Sequence, residues 1–212
     1  MKEIFQDFIN SISERFVLDV FTTEDSIRYT FFLSLIIKGG YKPAEIILEY
    51  PHNKISGKLV DTYIPPIKSR KGLLFEFKYD RAIPSKRNMP RPMKAGLLFN
   101  DILRLKNFES NNTDFYFIYI TDNEMFSYLS NPRNNLDEFF NLAEGTYMDI
   151  NEKFVAAHCN TFINSIKSEI QDCRIKAEIS KRLPKNNYLR IYKIEWYNLN
   201  KKIFNFTGRK ND

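Results

Sequence analysis

The chain has 212 residues, with 32 Lys and Arg against 26 Asp and Glu, and a formal net charge of +6 at pH 7. Its hydrophobic content of 43% and aromatic content of 15% exclude a disordered chain. The two cysteines form no CxxC pair, which argues against a disulfide scaffold or a zinc site, and the longest apolar run is too short to span a membrane. We therefore expect a single domain over residues 1–212, in a cytoplasmic protein without membrane association.

The first 120 residues alternate between helical and strand patterns. Apolar spacing predicts a helix from Glu3 to Val20, and Thr22 or Thr23 is placed to cap a second helix that ends near Gly39. Further along, strands are predicted at 44–51, 58–64 and 73–79, a helix at 93–108 and a strand at 114–120. The order of elements is helix, three strands, helix, strand, which indicates an α/β fold around a central mixed sheet.

The C-terminal third has a less regular pattern. The segments NNLDEFFNLAEG and 150–183 are interpreted as helices, with Pro184 ending the second one. NYLRIYKIEWYNL is interpreted as a strand, with a short partner at KIFNF. This region, about 135–212, is treated as an extension of a core at about 21–121. It could pack on the sheet, form a dimer contact or carry specificity.

Charged residues stand within two neighbouring apolar runs. Asp61 lies in KLVDTYI, and Glu76 and Lys78 lie in LLFEFKY. Because side chains alternate along a strand, Glu76 and Lys78 point to one face and Phe75 and Phe77 to the other. If the two strands pair, Asp61 joins Glu76 and Lys78, and two carboxylates and an ammonium come within reach of one metal ion.

These charges have an ordinary alternative explanation. Charged side chains on the solvated face of an antiparallel strand are common. The flanking residues are nevertheless more apolar than a half-solvated strand requires, so the charges lie in a largely buried sheet. Buried charges are retained when they are paired or bind a metal.

The order of elements, the Asp on the second strand and the Glu-x-Lys on the third resemble the PD-(D/E)xK nuclease superfamily, over roughly residues 21–121. The resemblance implies a restriction-endonuclease-like fold, with Asp61, Glu76 and Lys78 as the catalytic core. It also places Glu24 at the position of the family's first-helix Glu. One departure is Val60, which stands where the family motif has Pro.

The residue types suit the implied chemistry. Mg²⁺ prefers oxygen ligands, so the carboxylates of Asp61 and Glu76 and the backbone carbonyl of Phe77 suffice to hold it, with Mn²⁺ as a substitute. Lys78 is then placed to orient or deprotonate the attacking water and to offset charge in the transition state. No Ser/His/Asp spacing or glycine-rich phosphate loop is present, and no organic cofactor is expected.

Residues 68–94 are strongly basic, with nine Lys or Arg against Glu76 and Asp80. Since this run surrounds the expected metal ligands, we expect it to contact DNA phosphates rather than to be only a solvated loop. The expected DNA-binding residues are Arg81, Lys86, Arg87, Arg91 and Lys94, with Arg91, between two prolines, as the best candidate to read a base.

Other polar residues are weaker candidates. Lys94, Asp101 and Arg104 on the following helix could face the site, although Asp101 and Arg104 could also simply pair with each other. His52 lies in the turn between two strands, and a histidine in such a turn is more often a surface residue than a DNA contact.

The sequence thus predicts a Mg²⁺-dependent DNA endonuclease, in its most specific version a homodimeric type II restriction-like enzyme. A repair or junction-cleaving nuclease, or an inactive DNA-binding module of the same fold, is the alternative.

Overall fold

The computed structural model describes residues 1–81 and 89–195, and one seven-stranded mixed sheet runs through them. Seven α-helices lie in these ranges: α1 (Lys2–Val17), α2 (Glu24–Ile37), α3 (Arg91–Lys106), α4 (Asn123–Leu129), α5 (Asp137–Phe140), α6 (Glu152–Ala156) and α7 (Asn160–Ile163). The strands are β1 (Ile47–Pro51), β2 (Leu59–Ile64), β3 (Gly72–Asp80), β4 (Thr113–Thr121), β5 (Tyr147–Ile150), β6 (Cys173–Leu183) and β7 (Asn187–Glu195).

The strand order across the sheet is β1-β2-β3-β4-β7-β6-β5. Only β3 and β4 run parallel, joined by the crossover helix α3, and every other neighbouring pair is antiparallel. The predicted α/β class with a mixed sheet is confirmed. Because β7 pairs with β4, the C-terminal strands extend the same sheet.

Each face of the sheet is covered by its own helices. On one face, α1 and α2 bury an aromatic cluster in which the ring of Phe31 contacts Phe75, with centroids 4.7 Å apart, and Phe77, at 5.5 Å. On the other face, α3 and the short helices α4–α7 pack against Leu74 and the apolar residues of β4 and β7. The alternation of β3 therefore points Glu76 and Lys78 toward α3.

Local signals in the first half match the elements that form. The Thr23 side chain accepts a hydrogen bond from the backbone N–H of Ser26 at 3.1 Å, which caps α2 as expected. The backbone carbonyl of Phe162 in α7 lies only 2.4 Å from the point where a Cβ on Gly96 of α3 would stand. Glycine is therefore required at this crossing of α3 and α7.

The helix predicted over 150–183 is wrong in its second half. Residues Cys173–Leu183 form strand β6, in which Cys173, Ile175 and Ala177 are buried and the charged residues between them are partly exposed. This two-residue period is the strand signal that the helical interpretation overlooked. Only two helices of four or five residues form earlier in the segment, and Pro184 begins the short connection between β6 and β7.

Two further differences concern the C-terminal third. Strand β5, which pairs with β6, was not predicted. The strand predicted from Asn187 is confirmed as β7 up to Glu195, whereas its continuation and the KIFNF partner lie outside the described residues.

Candidate functional site

The candidate site lies where β2 separates from β3. The two strands pair from Ile64–Leu73 to Thr62–Phe75, and β3 then continues to Asp80. Beyond Phe75 the edge of β3 that faced β2 is open, and side-chain carboxylates accept hydrogen bonds from its backbone N–H groups. Asp61 Oδ2 accepts from the N–H of Phe77 at 2.8 Å, and Glu24 Oε2, from the first turn of α2, accepts from the N–H of Tyr79 at 2.8 Å.

The side-chain alternation of β2 breaks at Asp61. Val60 packs in the core on the α3 face, while Thr62 lies opposite Phe75, whose ring is buried on the α2 face. Across the strand pair, Glu49 has a positive φ of 54°, which is uncommon for a residue other than glycine. This irregular backbone turns the Asp61 carboxylate to the open edge of β3.

The N–H and C=O of one strand residue point to the same side of the strand. Since the Phe77 N–H faces Asp61, the Phe77 carbonyl lies on the same open edge. The Asp61 carboxylate, Glu76 and the Phe77 carbonyl, which are the three expected ligands, therefore lie at the same end of β3.

Glu76 is held by helix α3. Its Oε1 accepts a hydrogen bond from the Arg104 guanidinium, which also contacts Asp101 Oδ1 at 3.3 Å and the backbone carbonyl of Leu59. Lys78 Nζ lies 3.6 Å from Asp101 Oδ2. Asp101 and Arg104 therefore face the site and also pair with each other. The two possibilities that the sequence left open for these residues are both observed.

The second oxygen of Glu76 has no hydrogen-bond partner within the described part of the chain, although it is fully buried. Burial and the nearby charge of Asp61 raise the pKa of Glu76 well above its ordinary value, against the opposing effect of Arg104. A buried carboxylate oxygen without a partner is costly unless the group takes a proton or binds a cation.

The other ionisable groups of the site are also perturbed. Burial raises the pKa of Glu24 and of Asp61, against the opposing effects of Lys78 on the former and of the Phe77 N–H and Arg28 on the latter. Burial acts to lower the pKa of Lys78, but the surrounding carboxylates, led by Asp101 and Glu24, raise it overall. Lys78 is therefore fully charged at neutral pH.

Two residues of the site were missed from the sequence. Arg28 lies one helical turn after Glu24 and bridges Asp61 at 3.3 Å and Glu49 at 3.5 Å. Asp80 continues the two-residue spacing of Glu76 and Lys78, and it accepts a hydrogen bond from the Tyr119 hydroxyl at 3.1 Å. Helical spacing from Glu24 and strand spacing from Lys78 were signals that could have found them.

The expected DNA-binding residues are only partly described. Lys86 and Arg87 lie outside the described residues. The Arg81 guanidinium lies over the exposed ring of Phe21, 4.6 Å from its centroid, and Lys94 Nζ donates to the Arg81 carbonyl at 3.2 Å. Arg91 begins α3 and pairs with Glu124 at 2.9 Å. A base-reading role for Arg91 requires this exposed pair to open.

Across residues 1–81 and 89–195, no group of three or more His, Cys, Asp or Glu side chains is placed to hold a metal ion. The expected ligand set is smaller, with two carboxylates and one carbonyl, and the unpartnered oxygen of Glu76 fits a cation. In the same ranges no helix has the length and apolarity needed to cross a membrane. Comparison with protein-family models, curated proteins and solved structures gave no match.

Proposed function

We propose that the protein is a Mg²⁺-dependent DNA endonuclease with a restriction-endonuclease-like core formed by α2, β1, β2, β3, α3 and β4. The observation that carries the proposal is the buried, unpartnered oxygen of Glu76 beside Asp61, with Lys78 on the same face of β3. Such a pair of carboxylates next to an ammonium suits hydrolysis of a phosphodiester.

Each residue then has a distinct role. Asp61, Glu76 and the Phe77 carbonyl would hold the cation, which supplies an acidified water and polarises the scissile phosphate. Lys78, held by Asp101, orients the attacking water and balances the charge that develops on the phosphate. Glu24 fixes the end of β3 through the Tyr79 N–H and adds negative charge beside Lys78.

Cleavage of supercoiled plasmid tests the proposal. Purified protein should cut with Mg²⁺ or Mn²⁺ and stop with chelator, and Asp61→Ala and Lys78→Ala should lose activity while still binding DNA. Because Asp61 repels phosphates, its Ala variant should bind at least as tightly without metal. Lys193→Ala and Asp114→Ala are matched controls, since this ion pair lies near the start of β4, away from the candidate site. Robust cleavage by Asp61→Ala would refute the assignment.

A readout without catalysis complements this assay. A cation bound to the native state alone stabilises it by RT ln(1 + [L]/Kd), so 10 mM Mn²⁺ and a Kd near 1 mM correspond to about 1.4 kcal/mol. For a chain of this size, that is a rise of about 3–6 °C in Tm. The rise should vanish in Glu76→Gln and persist in Asp114→Ala.

Within the nuclease class, a type II restriction enzyme acting as a homodimer is the most specific version of the proposal. The Arg104–Glu76 contact favours a second candidate, a DNA-binding module without activity, because Arg104 already compensates part of the Glu76 charge. Binding of duplex DNA with no cleavage under any divalent cation would identify that module.

A further inference from the structure

A cleft of about 680 Å³ opens beside the candidate site on the α3 face. Its walls are the β1–β2 connection, the C-terminal half of α3 and residues 167–171. Arg104 joins the two features, since it lines the cleft and its guanidinium contacts Glu76. The cleft and the candidate site are therefore neighbours that share Arg104.

The first wall is fixed to α3 by side chains of the β1–β2 connection. His52 Nδ1 accepts from the backbone N–H groups of Lys54 and Ile55, each at 3.1 Å. With Nδ1 an acceptor, Nε2 carries the hydrogen and donates to the Arg104 carbonyl at 2.9 Å. Asn53 exchanges two hydrogen bonds with the backbone of Glu109. The buried His52 thus shapes a turn rather than projecting from it.

The opposite wall is fixed by Asn100 of α3. Its Oδ1 accepts from the backbone N–H groups of Lys167 at 2.7 Å and Ser168 at 2.9 Å, and the Ser168 hydroxyl donates to the Asn100 carbonyl at 3.3 Å. Both walls are held before any partner binds, so binding would cost little ordering of the backbone.

The lining of the cleft is basic. Its cations come from separate elements and outnumber its two acids, Glu109 and Glu169; they are Lys54, Lys58, Arg104, Lys106 and Lys167. Lys54 pairs with Glu109 at 2.8 Å. Lys58 and Lys167 are exposed on opposite walls, and within the described ranges neither has an ion-pair partner. The lining of the cleft thus includes two exposed lysines without an ion-pair partner among the described residues.

We propose that this cleft binds the phosphate backbone of duplex DNA next to the phosphate that is cleaved. The cations are spread over both walls, which suits a chain of repeated charges better than a single small anion. The inference rests on the proposed function and adds to it, because it places part of the DNA contact away from the basic segment at residues 81–94.

Fluorescence anisotropy with a labelled duplex of about 20 base pairs, in chelator, tests the proposal without cleavage. Lys58→Ala combined with Lys167→Ala should weaken binding at least 10-fold at 100 mM salt. It should also reduce the slope of log K against log salt by nearly two, since each phosphate contact contributes about 0.9. Lys38→Ala combined with Lys181→Ala removes two exposed lysines elsewhere and should leave affinity and slope nearly unchanged.

The outcomes separate the two proposals. If wild-type protein binds and cleaves DNA but the Lys58 and Lys167 variant keeps wild-type affinity and slope, the cleft proposal is wrong and the nuclease proposal stands. If wild-type protein neither binds nor cleaves duplex DNA, the proposed function fails, and the cleft proposal with it. Circular dichroism should show that both double variants are folded.

Discussion

Replacing Arg104 by Met tests whether this guanidinium compensates the buried charge of Glu76. The exposed side-chain fractions are 13% for Arg104 and 6% for Glu76, so both partners are largely out of water. Removing one partner of a buried ion pair costs about 3–5 kcal/mol when the other remains charged. Because Glu76 escapes part of this cost by taking a proton, we expect a loss of about 3 kcal/mol at pH 8, which lowers Tm by about 6–12 °C.

The loss should depend on pH with a definite sign. Arg104 acts to lower the pKa of Glu76, so removing it raises that pKa further above the unfolded value. A raised folded-state pKa gives stability that is present at low pH and lost as pH rises. A larger fraction of Glu76 is protonated at pH 5 than at pH 8, so the loss should be smaller at pH 5 and should approach about 1 kcal/mol, the scale of a neutral hydrogen bond.

Urea unfolding at pH 5 and pH 8 measures both values. Arg104→Lys keeps the charge and should lose less than Arg104→Met at pH 8. In Glu76→Gln the Arg104→Met change should cost about the same at both pH values, because the charge is gone. An equal loss at pH 5 and pH 8 in the otherwise wild-type protein would mean that Arg104 does not compensate Glu76.

Three further predictions concern other parts of the fold. Burial lowers the pKa of His52 below 6.5, so the stability that its neutral form contributes should be complete above pH 6.5 and lost as pH falls. This pKa can be measured by NMR in His158→Asn, because His52 is then the one histidine left in the sequence. Gly96→Ala should cost about 2 kcal/mol or more in urea unfolding, because its methyl would meet backbone of α7, and a wild-type midpoint would contradict this. Burial raises the pKa of Cys173 to about 12, so a thiol reagent should label only the exposed Cys159 in native protein and both cysteines in urea.

Much of the sheet and half of the site follow from local sequence patterns. Two-residue alternation in LLFEFKY is enough to put Glu76 and Lys78 on one face, and helical spacing is enough to find α1, α2 and α3. The same alternation was present in CRIKAEIS, but it stood within a segment rich in helix formers and was misread. The pairing of β6 with β7 there outweighs the local preference of the segment for a helix.

Local sequence is enough to predict which residue types lie on β3 and which of them share a face, because the side-chain period is a property of the strand alone. The tertiary structure decided where Asp61 lies, since the break in β2 depends on pairing with β1 and β3. It also decided that Arg104 contacts Glu76, 28 positions earlier in the chain. Likewise, Asn100 accepts hydrogen bonds from Lys167 and Ser168, which follow it by 67 and 68 positions. Such contacts form between elements that only the packed sheet and helices bring together, and no local pattern encodes them.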